Sequence, residues 1–288
     1  MIRVMKKPSI RDFGGLPAAL ACLALTVAAP PLFAGAWSQE KGSLYLKFSG
    51  ISYSSDEVYN DMGNRQPMGE ESDSFVGSQG FLYAEYGLGG RLTAIAQANA
   101  GVLVSENRLV HRQTTGIGDV DIGARYQLTD GPVVLSPLLT FKLPTGYHAD
   151  YDPPFGTGKI DAEVRILAAR SLYPLPLYVG LEGGYRIRGG EYSNQVPWFA
   201  EVGVTPHPRL FLKAYAEGKD TRVSEETEDL GVVGASVQVS EGDYTKAGLN
   251  AAWNVRGPFW VDVLAERTIA GENIGAGASL GIGVSCSY

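Results

Sequence analysis

The sequence predicts an all-β fold, a transmembrane antiparallel up-and-down β-barrel, from three observations. Residues 278–288 alternate strictly: Leu280, Ile282 and Val284 share one face with a final Tyr288, and small residues occupy the other face. Side chains of a strand alternate with a period of two, and eleven residues are about enough to cross a bilayer as a tilted strand. The same alternation recurs along the chain. The body of the chain contains no apolar run of 18 or more residues, so no spanning helix competes with this prediction.

The amino-terminal segment has the features of a cleaved export signal. Four basic residues precede a short apolar core at residues 16–29, and Ala34-Gly35-Ala36 is a small-x-small cleavage motif. We therefore expect a signal peptide at residues 1–36 and one barrel domain at residues 37–288, with a signal anchor as the alternative. Removing the leader changes the formal charge from -7 to -10. An acidic exported chain argues against a nucleic-acid partner.

The strand pattern can be followed from the predicted mature start to the carboxyl terminus. Short turns at residues 87–90, 129–132, 171–176, 205–208 and 256–258 contain glycine or proline, which favour tight turns. Longer polar stretches separate the other neighbouring strands, including residues 52–74, 105–115, 143–158 and 218–243. The predicted strands are centred on residues 44–48, 82–86, 92–104, 120–128, 133–141, 160–168, 177–187, 196–204, 210–216, 245–255, 259–265 and 278–288.

Strand parity decides how many of these runs belong to the barrel. A further alternating run at residues 233–239 would give thirteen strands, whereas single-chain bacterial barrels have an even number. If the short turns lie on one side, residues 218–243 lie wholly on the other side, and residues 233–239 extend above the membrane. The prediction is twelve strands, with fourteen as the alternative if another strand lies within residues 52–74. The last strand then pairs with the first, near Leu44.

Charged side chains occupy the face opposite the apolar one on nearly every predicted strand, which makes them candidates to line the barrel lumen. Mixed signs favour either a salt-bridge network that holds the barrel's shape or a polar path through it. The candidates are Lys47, Glu85, Asp119, Asp121, Arg125, Lys142, Asp161, Glu163, Arg165, Glu182, Arg186, Arg188, Glu201, Lys213, Glu217, Asp262 and Glu266.

The sequence does not favour an enzyme. A lipid-facing Ser-His hydrolase needs a histidine on the barrel wall within reach of a serine, but His111 and His148 are predicted in loops and His207 in a turn. No cysteine or histidine cluster has the spacing of a metal site, so we expect no metal and no cofactor. Two acidic stretches, residues 56–73 and 220–229, either bind divalent cations among lipopolysaccharide or are simply solvated.

Four segments resemble a family of outer-membrane proteins named for the MetA pathway of phenol degradation. They are Trp-Ser-Gln-Glu-Lys-Gly at 37–42, Gly-Ile-Gly-Asp-Val-Asp-Ile-Gly-Ala-Arg-Tyr at 116–126, Leu-Pro-Thr-Gly at 143–146 and Gly-Thr-Gly-Lys-Ile-Asp at 156–161. The resemblance covers the chain to about residue 170. It implies a barrel in a Gram-negative outer membrane that admits small, often aromatic or apolar, compounds, and it brings no catalytic residues.

The expected function is a porin-like channel for passive diffusion of small molecules, with a closed structural or interaction barrel as the alternative. Trp37 leads almost directly into the first strand, so no plug domain is expected. Expected partners are outer-membrane lipid and lipopolysaccharide, a small-molecule solute and the barrel assembly machinery. Tyr288 is a candidate assembly signal, since it is a terminal aromatic residue.

Overall fold

The chain folds into a closed antiparallel barrel of twelve strands, as predicted. The structure, a computed structural model, describes residues 35–69, 73–107, 109–148, 150–222 and 241–288. The barrel strands are β1 (Leu44–Ser55), β4 (Ser74–Gly89), β5 (Leu92–Glu106), β6 (His111–Tyr126), β7 (Val134–Leu143), β8 (Asp161–Ser171), β9 (Leu177–Ile187), β10 (Asn194–His207), β11 (Leu210–Arg222), β12 (Asp243–Arg256), β13 (Phe259–Glu272) and β15 (Ala278–Ser287). Three shorter strands, β2 (Glu57–Tyr59), β3 (Arg65–Pro67) and β14 (Ile274–Gly275), form a separate small sheet.

The barrel closes between its first and last strands. β15 pairs with β1 from Tyr45 opposite Ser287 to Ser54 opposite Ala278, and with β13 on its other side. Beyond the last ladder pair, the backbones of Leu44 and Tyr288 exchange two hydrogen bonds of 2.9 Å. The predicted pairing of the final strand with the strand at Leu44 is therefore confirmed.

The two ends of the barrel differ in the length of their connections. At the short-turn end, where β1 begins and β15 ends, the connections are residues 90–91, 127–133, 172–176, 208–209 and 257–258. At the long-loop end the connections include residues 56–73, 144–160 and 223–242. This is the division into short turns and longer loops that outer-membrane barrels have.

Three predicted loops differ from the structure. The stretch at 105–115 is mostly strand, because β5 and β6 continue into a hairpin closed by Asn107, whose side chain accepts from the N–H groups of Leu109 and Val110. Residues 218–222 belong to β11. The described part of residues 52–74 contains no further barrel strand: β2 and β3 lie there, but β3 pairs with β2 and β2 pairs with β14, outside the barrel. The run at 233–239 lies outside the described residues.

The apolar faces of the strands point outward. On β15, Leu280 is 68% exposed, whereas Ser285 on the opposite face is 4% exposed. An outward apolar surface is unfavourable in water and favourable in lipid, so it fits a membrane barrel. Within the described residues, no helix is long and apolar enough to cross a membrane. Exposed aromatic residues near the short-turn end include Tyr86, Tyr126, Trp253, Phe259 and Tyr288.

Candidate functional site in the barrel lumen

Charged side chains with little exposure to solvent lie within the barrel, and sixteen of the seventeen candidates form ion pairs. Asp121 is the exception among the described residues. The last strand makes room for these groups by carrying small residues inward: a Cβ at Gly283 would lie 2.5 Å from Oδ1 of Asp262. The alternation of the strands therefore separates a lipid-facing wall from a charged interior.

One of the most buried ion pairs joins two strands that are not neighbours. Arg125 of β6 holds Glu85 of β4 through two bonds of 2.9 and 3.1 Å, across the intervening β5. Their side chains are 3% and 7% exposed. Tyr83 and Gln39 also donate to Glu85, at 2.5 and 2.7 Å. Since both carboxylate oxygens have charged and neutral donors, the charge of Glu85 is well compensated.

Residues 35–43, which we call the N-terminal strap, lie across the short-turn end of the lumen. Side chains of the barrel wall hold its backbone. Arg125 of β6 donates to the carbonyl oxygen of Trp37 at 2.7 Å, and Thr93 of β5 accepts from the N–H of Gln39 at 2.8 Å. The strap therefore follows the inner wall across several strands before it enters β1.

The start of the strap is packed as tightly as a protein core. Trp37 makes an edge contact with Tyr178 of β9, with ring centroids 5.6 Å apart. Ser136 of β7 donates to the carbonyl oxygen of Ala36. The sequence predicts that Trp37 leads almost directly into the first strand; in the structure the short segment before β1 also narrows the lumen. Ala36 is 1% exposed and lies against Val134, Leu167 and Ala169.

A second ionic cluster lies toward the long-loop end. Lys142 of β7 lies 2.8 Å from Asp161 and 3.4 Å from Asp119. Arg188 lies 3.8 Å from Asp161 and 3.3 Å from Glu241. The cluster therefore ties β6, β7 and β8 to the residues that precede β12.

Glu163 of β8 connects a row of arginines along the wall. It pairs with Arg165 on its own strand and accepts from Arg186 of β9 at 2.5 Å. Arg165 also lies 3.2 Å from Glu182. Alternating charges at this spacing neutralise one another, so the row presents little net charge to a passing solute.

Three lysines complete the ionic lining on the remaining strands, and each pairs with at least one carboxylate. Lys213 also lies over the rings of Phe199 and Tyr215, with its Nζ 5.6 and 5.4 Å from their centroids. The lumen on this side therefore combines aromatic faces with paired cations. The pairs are Lys47 with Asp262 at 2.9 Å, Lys213 with Glu201 at 3.1 Å, and Lys246 with Glu266 at 3.1 Å and Glu217 at 4.0 Å.

The connection between β7 and β8, residues 144–160, folds into the long-loop end; we call it the inward loop. Tyr147 donates to Oδ1 of Asp119 at 2.6 Å and accepts from the N–H of Gly158 at 3.1 Å. Burial, together with the hydrogen bond to Asp119, raises the pKa of the Tyr147 hydroxyl, so it stays protonated at neutral pH. Phe155 of the same loop packs near Gly116 of β6.

Replacing Tyr147 with phenylalanine is expected to loosen the inward loop. A hydrogen bond to a charged group contributes about 1.5–3 kcal/mol, so the Gly158 amide should exchange its hydrogen roughly ten-fold faster or more. Hydrogen-exchange mass spectrometry of the loop peptide measures this. Tyr151→Phe, an exposed position on the same loop, is the matched control and should leave the exchange rate unchanged. Equal rates in both variants would contradict the role of Tyr147.

Two cavities remain between the strap and the inward loop. The short-turn cavity has a volume of about 400 Å³, and Tyr45, Tyr83 and Tyr215 are among its lining residues. The long-loop cavity has a volume of about 360 Å³ and is lined by aromatic residues such as Phe75 and by Phe155 of the inward loop. Ile51 is a lining residue of both cavities, so they lie on either side of it along the lumen. Volumes of this size are at the lower end of the range for small-molecule sites.

The histidines do not enter this lumen. His111 lies at the exposed start of β6, near Glu106. His148 is exposed in the inward loop, 4.0 Å from Asp150. His207 ends β10 and stacks on Trp253, with centroids 6.0 Å apart. Among the described residues, no group of three or more His, Cys, Asp or Glu side chains could hold a metal ion.

Several lumen residues were missed in the sequence. On β12, the side chain of Lys246 is on the other face from that of its neighbour Ala247, so the alternation could have identified Lys246 as a lumen residue. Lys219 was missed because residues 218–243 were predicted to be loop, although it continues the inward face of β11. No local sequence pattern identifies Gln39 or Tyr147 as lumen residues, because both lie in segments without strand periodicity.

This architecture is that of an outer-membrane β-barrel, and comparisons with solved structures agree. No protein-family model matches the chain, and no curated protein matches it in sequence. The "COG4313 outer membrane channel from Pseudomonas putida F1" superposes with a TM-score of 0.69 at 16% identity, covering 88% of this chain and 98% of that one. A KdgM porin gives a TM-score of 0.50 at 8% identity, covering 83% and 99%. The translocator domain of the autotransporter NalP from Neisseria meningitidis gives 0.52 at 13%, covering 86% and 89%. At these identities the likeness is one of fold.

Proposed function

We propose that the protein is an outer-membrane channel through which small molecules diffuse passively, aromatic and apolar ones among them. The observation that carries this proposal is the pair of lumen cavities that share Ile51 as a lining residue. Their walls combine aromatic rings with charged side chains that, apart from Lys219, form ion pairs within the described residues. A ring-bearing solute can stack on these walls without having to break an ion pair, whereas an ion gains little from charges that are already neutralised.

The two ends of the barrel support a proposed orientation in the outer membrane. In outer-membrane barrels the short turns face the periplasm and the longer loops face outward. We place the short-turn end and the strap in the periplasm after export by an amino-terminal leader, and we place the inward loop outside, against lipopolysaccharide. The superposition on an outer membrane channel and a porin supports this placement. Membership of the MetA-pathway family remains part of the proposal and rests on the four sequence segments.

Liposome swelling with matched solutes tests the channel. Phenylalanine and glutamine are both net-neutral zwitterions, and they differ mainly in the aromatic ring. Proteoliposomes are expected to swell in both solutes, and faster in phenylalanine. Equal rates would contradict the preference for rings. If there were no swelling and no conductance in planar bilayers, the channel proposal would fail.

A closed structural barrel is the second candidate, and the strap favours it. The strap fills the short-turn end with contacts at hydrogen-bond distance, and the ion pairs bind strand to strand. In that case the function would lie in the outer loops, and the swelling experiment would give no signal in either solute.

Deleting Tyr288 is expected to reduce assembly into the membrane several-fold, with little change in the conductance of the molecules that assemble. Its ring is 63% exposed and meets Phe259 edge-on at 6.3 Å, outside the lumen. We propose that the assembly machinery reads this terminal aromatic. The measurement is the amount of heat-modifiable protein in the outer-membrane fraction. Tyr288→Phe keeps the aromatic ring and should assemble normally; normal assembly of the deletion would refute the role.

A further inference from the structure

The strap includes two residues, Gly35 and Ala36, that precede the start predicted from the sequence. Gly35 and Ala36 belong to the small-x-small motif, which placed the first mature residue near Trp37. In the structure both residues occupy defined positions in the barrel. Gly35 is among the residues that line the short-turn cavity, and Ala36 is almost completely buried.

Ala36 occupies a specific pocket in the barrel wall. Its methyl group enters a cluster formed with Val134, Leu167 and Ala169, and its carbonyl oxygen accepts from the Ser136 hydroxyl. If the chain began at Trp37, this pocket would lose its occupant, and a fully buried serine would lose its acceptor. The wall of the barrel is therefore shaped for a chain that still contains Ala36.

The next residue toward the amino terminus lies beside a buried carboxylate. A Cβ at Gly35 would lie 3.5 Å from Oε1 of Glu201. The Glu201 side chain is 2% exposed, and Lys213 lies 3.1 Å from its other oxygen, Oε2. Lys213 is the one cation that pairs with Glu201 among the described residues, and it lies on the Oε2 side. Oε1 is the oxygen that faces Gly35. A buried carboxylate is costly unless its charge is well compensated, so a cation on the Gly35 side would stabilise Glu201 further.

We propose that the leader is cleaved between Ala34 and Gly35 and that the new α-ammonium group of Gly35 binds Glu201 in the lumen. A leader peptidase hydrolyses the peptide bond with one water molecule: the hydroxyl group joins the Ala34 carbonyl carbon, and the amide nitrogen of Gly35 becomes an amine. The proton released by the new carboxylic acid is balanced by the proton that this amine takes up, leaving one carboxylate and one ammonium. Cleavage thereby turns a neutral amide into a cation beside Glu201.

This arrangement gives the strap a charged anchor at its free end. It rests on the proposed export of the protein but not on what the channel conducts.

The first test is the intact mass of the native protein purified from outer membranes. The expected mass is that of a chain starting at Gly35. A mass corresponding to a start at Trp37, or to retention of the leader, would overturn the proposal. Because the mass does not depend on transport, a barrel that conducts nothing could still start at Gly35, and a conducting one could start elsewhere.

The second test measures the ammonium–carboxylate contact directly. Reductive methylation at neutral pH modifies an accessible α-amine, and peptide mass spectrometry follows the modification of Gly35. Labelling is expected to be several-fold faster in Glu201→Gln than in the natural protein. Asp262→Asn, which removes another buried lumen carboxylate paired with Lys47, is the matched control and should label at the natural rate. Both variants are first checked for heat-modifiable migration. Equal labelling of folded Glu201→Gln and the natural protein would refute the pairing.

Discussion

Replacing Gly87 with alanine is expected to raise the single-channel conductance several-fold, because the added methyl group cannot coexist with the strap. A Cβ at Gly87 would lie 1.8 Å from the carbonyl oxygen of Glu40 and 2.6 Å from its carbonyl carbon. Atoms cannot approach this closely, and both groups belong to the backbone, so no side-chain rotation relieves the clash. The strap must move away from the wall. The conductance is measured in planar bilayers.

Gly131→Ala is the matched control for this change. Gly131 lies in the turn between β6 and β7 at the same end of the barrel, and a Cβ there meets nothing within 4 Å. Its conductance should stay at the natural value. If both variants behaved alike, the strap would not limit the pore.

Replacing Glu85 with alanine is expected to cost about 3–5 kcal/mol in the free energy of unfolding, the range for removing one partner of a buried ion pair. Arg125 would keep its charge at a site where its side chain is 3% exposed. Arg125 would also lose two hydrogen bonds of about 3 Å. Because its guanidinium group donates to the carbonyl oxygen of Trp37, its movement would displace the strap. Denaturant unfolding in detergent, followed by the fraction that keeps heat-modifiable migration, measures the loss.

The control for Glu85→Ala is an ion pair on the surface of the same end. Arg91 and Asp130 pair with side chains that are 46% and 55% exposed, so Asp130→Ala should cost less than about 1 kcal/mol. A double variant, Glu85→Ala with Arg125→Met, should recover part of the loss because no charge then remains buried. Similar losses for Glu85→Ala and Asp130→Ala would show that the lumen pair is screened like a surface pair.

The wall of the barrel could be predicted from the sequence because its rule is local. A residue such as Leu280 faces lipid and its neighbour Gly281 faces inward, so the alternation with a period of two can be read directly from the sequence. Parity and turn length then gave the number of strands and the pairing of β15 with β1. Long strands such as β5 and β6 were cut short in the prediction because their outer parts carry polar residues, which look like a loop.

The contents of the barrel could be predicted only in part. Alternation identified charged residues such as Glu85 and Arg125, but their pairing crosses an intervening strand and depends on the curvature of the closed sheet. The strap and the inward loop carry no period. Gln39 reaches Thr93 across 54 positions of sequence, and Tyr147 reaches Asp119 across 28. Such contacts arise only after closure has brought distant segments into one volume.

The seam between the first and last strands is fastened at both of its ends. Ten residue pairs join β1 to β15. At the short-turn end the seam is closed by the hydrogen bonds between the backbones of Leu44 and Tyr288, and at the long-loop end by the small sheet of β2, β3 and β14. β6 and β7, in contrast, share six pairs. Opening of the barrel wall would therefore begin between β6 and β7, beside the inward loop, and the seam between β1 and β15 would be among the last parts to open.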